Sequence, residues 1–198
     1  MAYYKLYEKL PVQEESIAIH TQVLYWVFYA DDQYIGEKVY QIPKYSSFLE
    51  HIIENGNKIV VFGATLLELF KIIEINEYKI YLELNGIDKD TFSMKDYRKI
   101  DSEREYVKKK IDVAYKQINQ VATIYYDLLD ESCCEQFIGD FVDHRADFVD
   151  FCLVKLCDRR EIHNILTDDG DFKTIVNDIN VFSGNKIYFK DLKVSLKT

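Results

Sequence analysis

The chain has 198 residues, 48% hydrophobic and 30% charged, a composition that excludes disorder and describes a chain long enough to bury about 70% of its unfolded surface without covalent staples. Asp and Glu outnumber Lys and Arg by 34 to 25, and the resulting net charge of −9 argues against a general phosphate-binding surface, though not against an enzyme whose carboxylates hold cations. Seven Gly and two Pro leave few breakers, so long helices are expected.

Ile17 to Trp26 (IAIHTQVLYW) is β-branched and aromatic without helical spacing and reads as a buried strand. Pro43 opens a helix carrying Phe48, Leu49, Ile52 and Ile53 on one face, and Asn55-Gly56-Asn57 stops it. Lys58 to Phe62 (KIVVF) is a second buried strand, Gly63 a turn, and Ala64 to Ile75 (ATLLELFKIIEI) a second helix. Glu77 to Lys99 has weak periodicity and reads as irregular. Ser102 to Glu131 lacks Gly and Pro and reads as one helix, long enough to protrude from a compact core. It places Tyr106, Tyr115 and Tyr125 on an apolar stripe that asks for a partner surface, hence a homodimer. Another helix covers Cys134 to Cys157. His163 to Thr167 (HNILT), Asn180 to Phe182 and Lys186 to Phe189 supply further short strands. Strands separated by helices give an α/β fold with a mostly parallel sheet flanked by helices.

Cys133, Cys134, Cys152 and Cys157 have no zinc-site spacing. The N-terminal segment MAYYKLYEKLPVQEES has no apolar core of signal-peptide length, and no apolar run is long enough to span a bilayer. A soluble, cytoplasmic protein with reduced thiols and no membrane contact is expected. One locally basic stretch carries Lys95, Arg98, Lys99 and Arg104. It reads either as a track for a nucleic acid backbone or as a solvated face of Glu–Lys pairs.

Three acidic features fall where an α/β fold brings ligands, beyond the carboxyl ends of parallel strands. Thr167-Asp168-Asp169-Gly170-Asp171-Phe172 directly follows a strand. Its plain reading is a solvated turn with Asp168 or Asp169 capping a short helix. Asp140, Asp143, Asp147 and Asp150 recur at spacings that place them on one face of the expected helix, where like charges repel. Glu68 is a lone charge among Leu66, Leu67, Leu69 and Phe70. Its plain reading is a surface pair with Lys71. Carboxylates converging from separate elements are what hard divalent cations need, and such a site can drive phosphodiester hydrolysis.

These segments, in this order, resemble the PIN domain, the metal-dependent nuclease fold of many bacterial toxin ribonucleases and of eukaryotic RNA-processing nucleases. The resemblance runs through Thr21-Gln22-Val23-Leu24, Ala64-Thr65-Leu66-Leu67-Glu68-Leu69, Asp147-Phe148-Val149-Asp150-Phe151, Thr167 to Phe172, and a tail Asn180-Val181-Phe182-Ser183-Gly184-Asn185. It covers about residues 16 to 190, the long helix excepted. It implies one PIN-like domain over 1–198 with a helical insertion or cap near 77–131. It also implies a ribonuclease in which Glu68, Asp150 and Asp169 are catalytic and bind Mg²⁺ or Mn²⁺. Asp147 and Asp171 would be auxiliary ligands, and Lys95, Arg98, Lys99 and Arg104 would guide RNA. An antitoxin-like protein is the implied partner. The chain departs from the family where the first-strand Asp is expected: His20 stands there, and Gln22 takes the following Asn position. Imidazole suits Mn²⁺ better than Mg²⁺, so His20 is counted with the metal ligands, and Asp31 or Asp32 is an alternative donor. The departure raises the alternative of a catalytically degenerate PIN-like domain that binds RNA or protein. A third reading is a phosphatase-like or receiver-like domain with an acidic pocket, against which the missing first-strand Asp also counts.

Overall fold

The computed structural model describes residues 2–30, 41–126, 130–141, 143, 145–175 and 178–189; Asp31 and Asp32 lie outside them. In chain order the elements are β1 (Tyr3–Lys5), β2 (Ser16–Ile19), α1 (Thr21–Phe28), α2 (Gln41–Glu54), β3 (Lys58–Phe62), α3 (Gly63–Asn85), α4 (Met94–Tyr97), α5 (Asp101–Val121), β4 (Ala122–Tyr125), α6 (Glu131–Asp140), α7 (Phe148–Arg159), β5 (Asn164–Leu166) and β6 (Asn180–Ser183). Two 3₁₀ turns, Gly170–Thr174 and Lys186–Phe189, flank β6. The strands form one sheet in the order β1-β6-β5-β2-β3-β4, and every ladder is parallel. The α/β expectation therefore holds. Helices cover both faces, as a parallel sheet requires. On one face α1, α2, α3 and α5 bury Ile17, Ile19, Ile59 and Val61 with Leu24, Phe48, Leu69 and Ile118. On the other, α7 and the 3₁₀ turns bury Ala18, Val60 and Ile165 with Leu153, Leu156, Phe172 and Tyr188.

The strand expected over Ile17 to Trp26 stops at Ile19. The His20 amide still bonds Leu166 O at 3.0 Å, and α1 begins at Thr21 with His20 as N-cap residue. An apolar run of this length does not distinguish strand from helix, and a strand inside a parallel sheet must leave into a crossover. Pro43 sits inside the first turn of α2, where its missing N–H costs nothing.

The helix expected over Ala64 to Ile75 runs on to Asn85, through most of the stretch read as irregular. Its outer half is partnered by aromatics rather than aliphatics, which hides the period. Tyr78 and Tyr81 pack on Phe92 and Tyr97, and Tyr78 Oη donates to Phe92 O. Gly86 closes α3 at φ 60°, the left-handed cap.

The helix expected over Ser102 to Glu131 ends at Val121, and Ala122–Tyr125 becomes the edge strand β4 on β3. Residues 127–129 lie outside the described set. Val107, Ala114 and Ile118 of α5 are buried. Tyr106 is exposed, whereas Tyr115 packs on Phe70.

The helix expected over Cys134 to Cys157 is two helices, each opened by an Asp. Asp130 Oδ1 accepts from Cys133 N at 3.0 Å, and Asp147 Oδ1 from Val149 N and Asp150 N at 2.8 and 3.0 Å. Asp140, Asp143, Asp147 and Asp150 therefore share no helical face. Asp140 ends α6, Asp143 lies in a turn, Asp147 is a cap and Asp150 falls in the first turn of α7. The preference of Asp for N-caps accounts for this better than an acidic stripe. Lys186–Phe189, read as a strand, is a 3₁₀ turn whose Tyr188 and Phe189 close the core. The sequence held no sign of β1, which pairs with β6.

Candidate functional site

Three consecutive residues leaving β2 organise the carboxyl ends of β2, β3 and β5. The His20 side chain, 3% exposed, is held at both ring nitrogens: Nε2 lies 2.9 Å from Asp150 Oδ1 and Nδ1 lies 2.9 Å from Thr167 Oγ1. Thr21 Oγ1 donates to Glu68 Oε2 at 2.5 Å. Gln22 Nε2 donates to Asp169 Oδ2 at 2.8 Å. Residues 20–22 thus connect Glu68 from α3, Asp150 from α7 and Asp169 from the turn after β5. Glu68 is not the Lys71 surface pair of the plain reading.

The network is satisfied by the Nε2–H tautomer of the imidazole. Thr167 Oγ1 accepts from Asp169 N at 3.0 Å, so its hydroxyl hydrogen is available to donate to His20 Nδ1. Nε2–H then donates to Asp150, and a neutral ring satisfies every partner. Phe172 closes over this ring at a centroid distance of 4.9 Å. Burial pushes the Asp150 carboxyl up from its ordinary range against the lowering effect of His20, with Asp147 and Asp169 adding repulsion. Burial also pushes Glu68 up, opposed by Thr21 and His20, with Asp147 and Asp150 repelling it.

Asp169 also caps the 3₁₀ turn, its Oδ1 accepting from Asp171 N at 2.9 Å, which is the capping role of the plain reading. Asp171 is exposed on that turn and Asp147 is exposed at the start of α7. Asp168, read from the sequence only as part of a solvated turn or a cap, is a buried member of the network. It is 9% exposed and accepts from Tyr45 Oη at 2.6 Å and Gln41 Nε2 at 3.3 Å. Tyr45 Oη also accepts from Gly184 N at 2.9 Å, and Asn185 Nδ2 donates to Asp168 O at 2.6 Å. Tyr45 and Gln41 come from α2, far from any acidic motif, so no local signal marks them.

In this arrangement protein donors hold Glu68, Asp150 and Asp169. Among the described residues no group of three or more His, Cys, Asp or Glu side chains is placed to hold a metal ion. Mg²⁺ and Mn²⁺ need convergent oxygen ligands; the bonds to Glu68 Oε2 and Asp150 Oδ1 engage one oxygen of each carboxylate, whereas both oxygens of Asp168 and of Asp169 accept from protein donors. His20 lies against the carboxylate it would have to share.

Four cations of the basic stretch are paired with carboxylates. Arg98 Nη2 and Arg104 Nη1 both grip Glu74, at 2.5 and 2.6 Å, Lys99 pairs with Asp96 at 2.8 Å, and Lys108 lies 3.3 Å from Glu105; Lys95 is exposed. An apolar groove of about 1220 Å³ lies between α3 and α5, lined by Leu66, Leu67, Phe70, Val107, Ile111 and Tyr115 among others. Among the described residues no helix is long and apolar enough to cross a membrane.

No protein-family model matches the chain. No curated protein matches it either. Among solved structures, the crystal structure of VapBC2 from Rickettsia felis bound to a DNA fragment from its promoter is similar over 84% of this chain and 98% of that one, at 13% identity and a TM-score of 0.49. A likeness of that strength names no family for the chain.

Proposed function

We propose that the chain is a PIN-like domain that binds RNA without metal-dependent turnover, the catalytically degenerate form of that fold. The observation that carries this reading is His20, buried and bonded at both nitrogens between Thr167 and Asp150. In the PIN pattern that position supplies an anionic oxygen ligand. Here it supplies a hydrogen-bond donor that holds Asp150 in place of a cation. Thr21 and Gln22 do the same for Glu68 and Asp169. The carboxylates are then structural anchors that shape the mouth of the sheet, where open α/β folds receive ligands. With Arg98 and Arg104 tied to Glu74, recognition falls to bases rather than phosphates, the mode by which single-stranded RNA is read. An antitoxin-like protein, or a second copy of the chain, is the further partner implied by the resemblance to PIN toxins, and the groove between α3 and α5 is the apolar surface it would use.

One observation favours the metal-dependent ribonuclease instead. Glu68 and Asp150 are desolvated and repelled by neighbouring carboxylates, a crowding that a cation relieves. Fluorescence anisotropy with short single-stranded RNA, alongside gel analysis of the same RNA, separates the two. The degenerate reading expects equal binding in EDTA and in Mn²⁺, with the RNA intact. Cleavage that needs Mn²⁺ and disappears in Asp150→Asn would establish the ribonuclease and overturn it.

A further inference from the structure

Cys133 of α6 and Cys152 of α7 stand with their sulfurs 3.7 Å apart, both buried and both free thiols. With Phe151 they form a small cluster of their own, covered by Phe137, Phe148 and Ile175 and separate from the two cores on the sheet. A disulfide holds its sulfurs about 2.05 Å apart, so the gap to be closed is smaller than the step one staggered side-chain rotation supplies. The apolar pocket suits that product, because a disulfide has no S–H donor to bury. A third thiol, Cys134, is half-buried and is therefore the one that solvent reaches. Burial pushes the Cys152 thiol up, and both Cys133 and Cys134 push it further, which places Cys134 beside the same sulfur. An accessible thiol next to a protected pair is the arrangement in which an entry cysteine has a resolving partner. The pair also lies where a bond would matter. Cys133 is the buried residue of α6, and the ion pair of Asp130 with Arg159 at 2.6 Å, exposed at both ends, contributes little to holding that helix on α7. Cys152 follows two residues after Asp150 on α7, so a bond there braces the helix that presents Asp150 to His20.

We infer that Cys133 and Cys152 are a reversible disulfide pair, closed by hydrogen peroxide that acts first on Cys134. The Cys134 thiolate attacks one peroxide oxygen, the O–O bond breaks, hydroxide leaves and takes up a proton as water, and Cys134 becomes a sulfenic acid. The Cys152 sulfur then attacks the Cys134 sulfur. Its proton departs with the hydroxyl group as a second water, and a Cys134–Cys152 disulfide forms. Cys133 attacks the Cys152 sulfur in turn, and Cys134 leaves as a thiol with the proton that Cys133 gives up. Across the three steps the pair loses two electrons and two protons, and one hydrogen peroxide is reduced to two waters. The product is the bond between the two buried sulfurs, with Cys134 regenerated. The pair stands or falls independently of the RNA-binding reading.

The test treats the full chain with hydrogen peroxide, alkylates the remaining thiols under denaturing conditions, and maps the unreduced digest by mass spectrometry with fragmentation. A Cys133–Cys152 cross-link is expected, with two of the four thiols lost and both restored by dithiothreitol. Cys133→Ser is expected to stop at Cys134–Cys152, and Cys134→Ser to close several-fold more slowly than the wild type. The bond joins residues 19 positions apart, and constraining a loop of that length raises the Tm of the oxidised wild type by roughly 6–12 °C. Dithiothreitol and Cys152→Ser are each expected to abolish the gain. Peroxide that carries Cys134 on to the sulfinic acid while Cys133 and Cys152 are still alkylated overturns the inference, and so does a disulfide found only between chains. A cross-linked wild type that melts no higher than the reduced chain overturns it as well, since the bond would then not fit the native packing.

Discussion

Replacing His20 with Asp is the perturbation that most directly separates an acidic network held by protein donors from one held by a cation. The substitution removes the 2.9 Å bond to Asp150 and the 2.9 Å bond to Thr167. It also sets a second carboxylate against Asp150, a residue only 7% exposed. A hydrogen bond to a charged group contributes about 1.5–3 kcal/mol, and a buried carboxylate left without its donor adds a desolvation cost. A loss of about 3 kcal/mol lowers Tm by roughly 6–12 °C in a chain of this length. Three carboxylates connected through residues 20–22 would then stand next to a fourth, and a cation gains the oxygen ligand that imidazole withholds. A cation present at a hundred times its Kd returns about 2.7 kcal/mol, which recovers most of the loss.

The assay is thermal unfolding of the wild-type chain, His20→Asp and His20→Asn in EDTA and then in millimolar Mg²⁺ or Mn²⁺. The wild type is expected to ignore the cation. His20→Asp is expected to melt lower in EDTA and to recover in Mn²⁺. His20→Asn keeps a donor without adding charge and is expected to melt at one temperature in both. A wild-type chain stabilised by Mn²⁺ by several degrees, with the gain lost in Asp150→Asn, would refute the reasoning. So would a His20→Asp chain that no cation rescues, since Glu68, Asp150 and Asp169 would then not converge.

Thr21→Val keeps the volume of a side chain that is 1% exposed but deletes the donor at Glu68; a loss of about 1–2 kcal/mol is expected in urea unfolding, with the half-buried carboxylate reaching water for the remainder. The Asp150 and Glu68 carboxyls both titrate above their ordinary range, so the folded state holds protons that the unfolded state has released. Their contribution to stability is complete below the unfolded carboxylate pKa and is lost as pH rises through the folded one. The urea midpoint of the wild type should therefore fall relative to that of Asp150→Asn between acid and neutral pH, and parallel curves would exclude the shift. Cys133, Cys152 and Cys157 are buried and Cys134 is half-buried, and burial pushes the Cys152 and Cys157 thiols up. Ellman's reagent should titrate a single fast thiol in the native chain, lost in Cys134→Ser, and the other three only after unfolding.

The acidic positions were legible because they follow short apolar segments: Thr167 to Asp169 after β5, and Glu68 a turn and a half into the helix after β3. Their partners were not. Thr21 and Gln22 lay inside a run read as strand, and in a strand Thr21 and Gln22 would have pointed to opposite faces instead of both reaching carboxylates from the first turn of α1. Tyr45 and Gln41 approach Asp168 from more than a hundred residues away in sequence, a pairing that no local pattern encodes. The boundaries failed where a long periodic run masked a local signal. Val121 to Tyr125 is β-branched and aromatic apart from Ala122, a strand signal hidden by the helical run before it and realised where β3 offers Ala122–Tyr125 a ladder, and the acidic series ending at Asp150 kept helical spacing although Asp147 opens a new helix. His20 was marked as a departure from a pattern. Its two bonds, which turn the departure into a replacement, depend on Thr167 and Asp150 standing at the ends of their own elements.

An acidic chain in which four of the clustered cations are already paired would hold RNA with little counterion release. Each phosphate neutralised on a single strand adds about −0.7 to the slope of log affinity against log salt. Arg98 and Arg104 share Glu74, Lys99 is paired to Asp96 and Lys108 to Glu105; recruiting them for phosphates would mean breaking those pairs and exposing Glu74 to the RNA. Among the described residues, the surface beside the acidic network carries Asp168, Asp169 and the rings of Tyr25 and Trp26. A slope shallower than about −1 is therefore expected between low and physiological salt, with affinity tracking base identity rather than strand length. A slope near −3 or steeper, flattened by replacing Arg98 and Arg104 with Gln, would show that phosphates carry the binding. In that case the basic stretch would be the nucleic-acid track that its sequence first suggested.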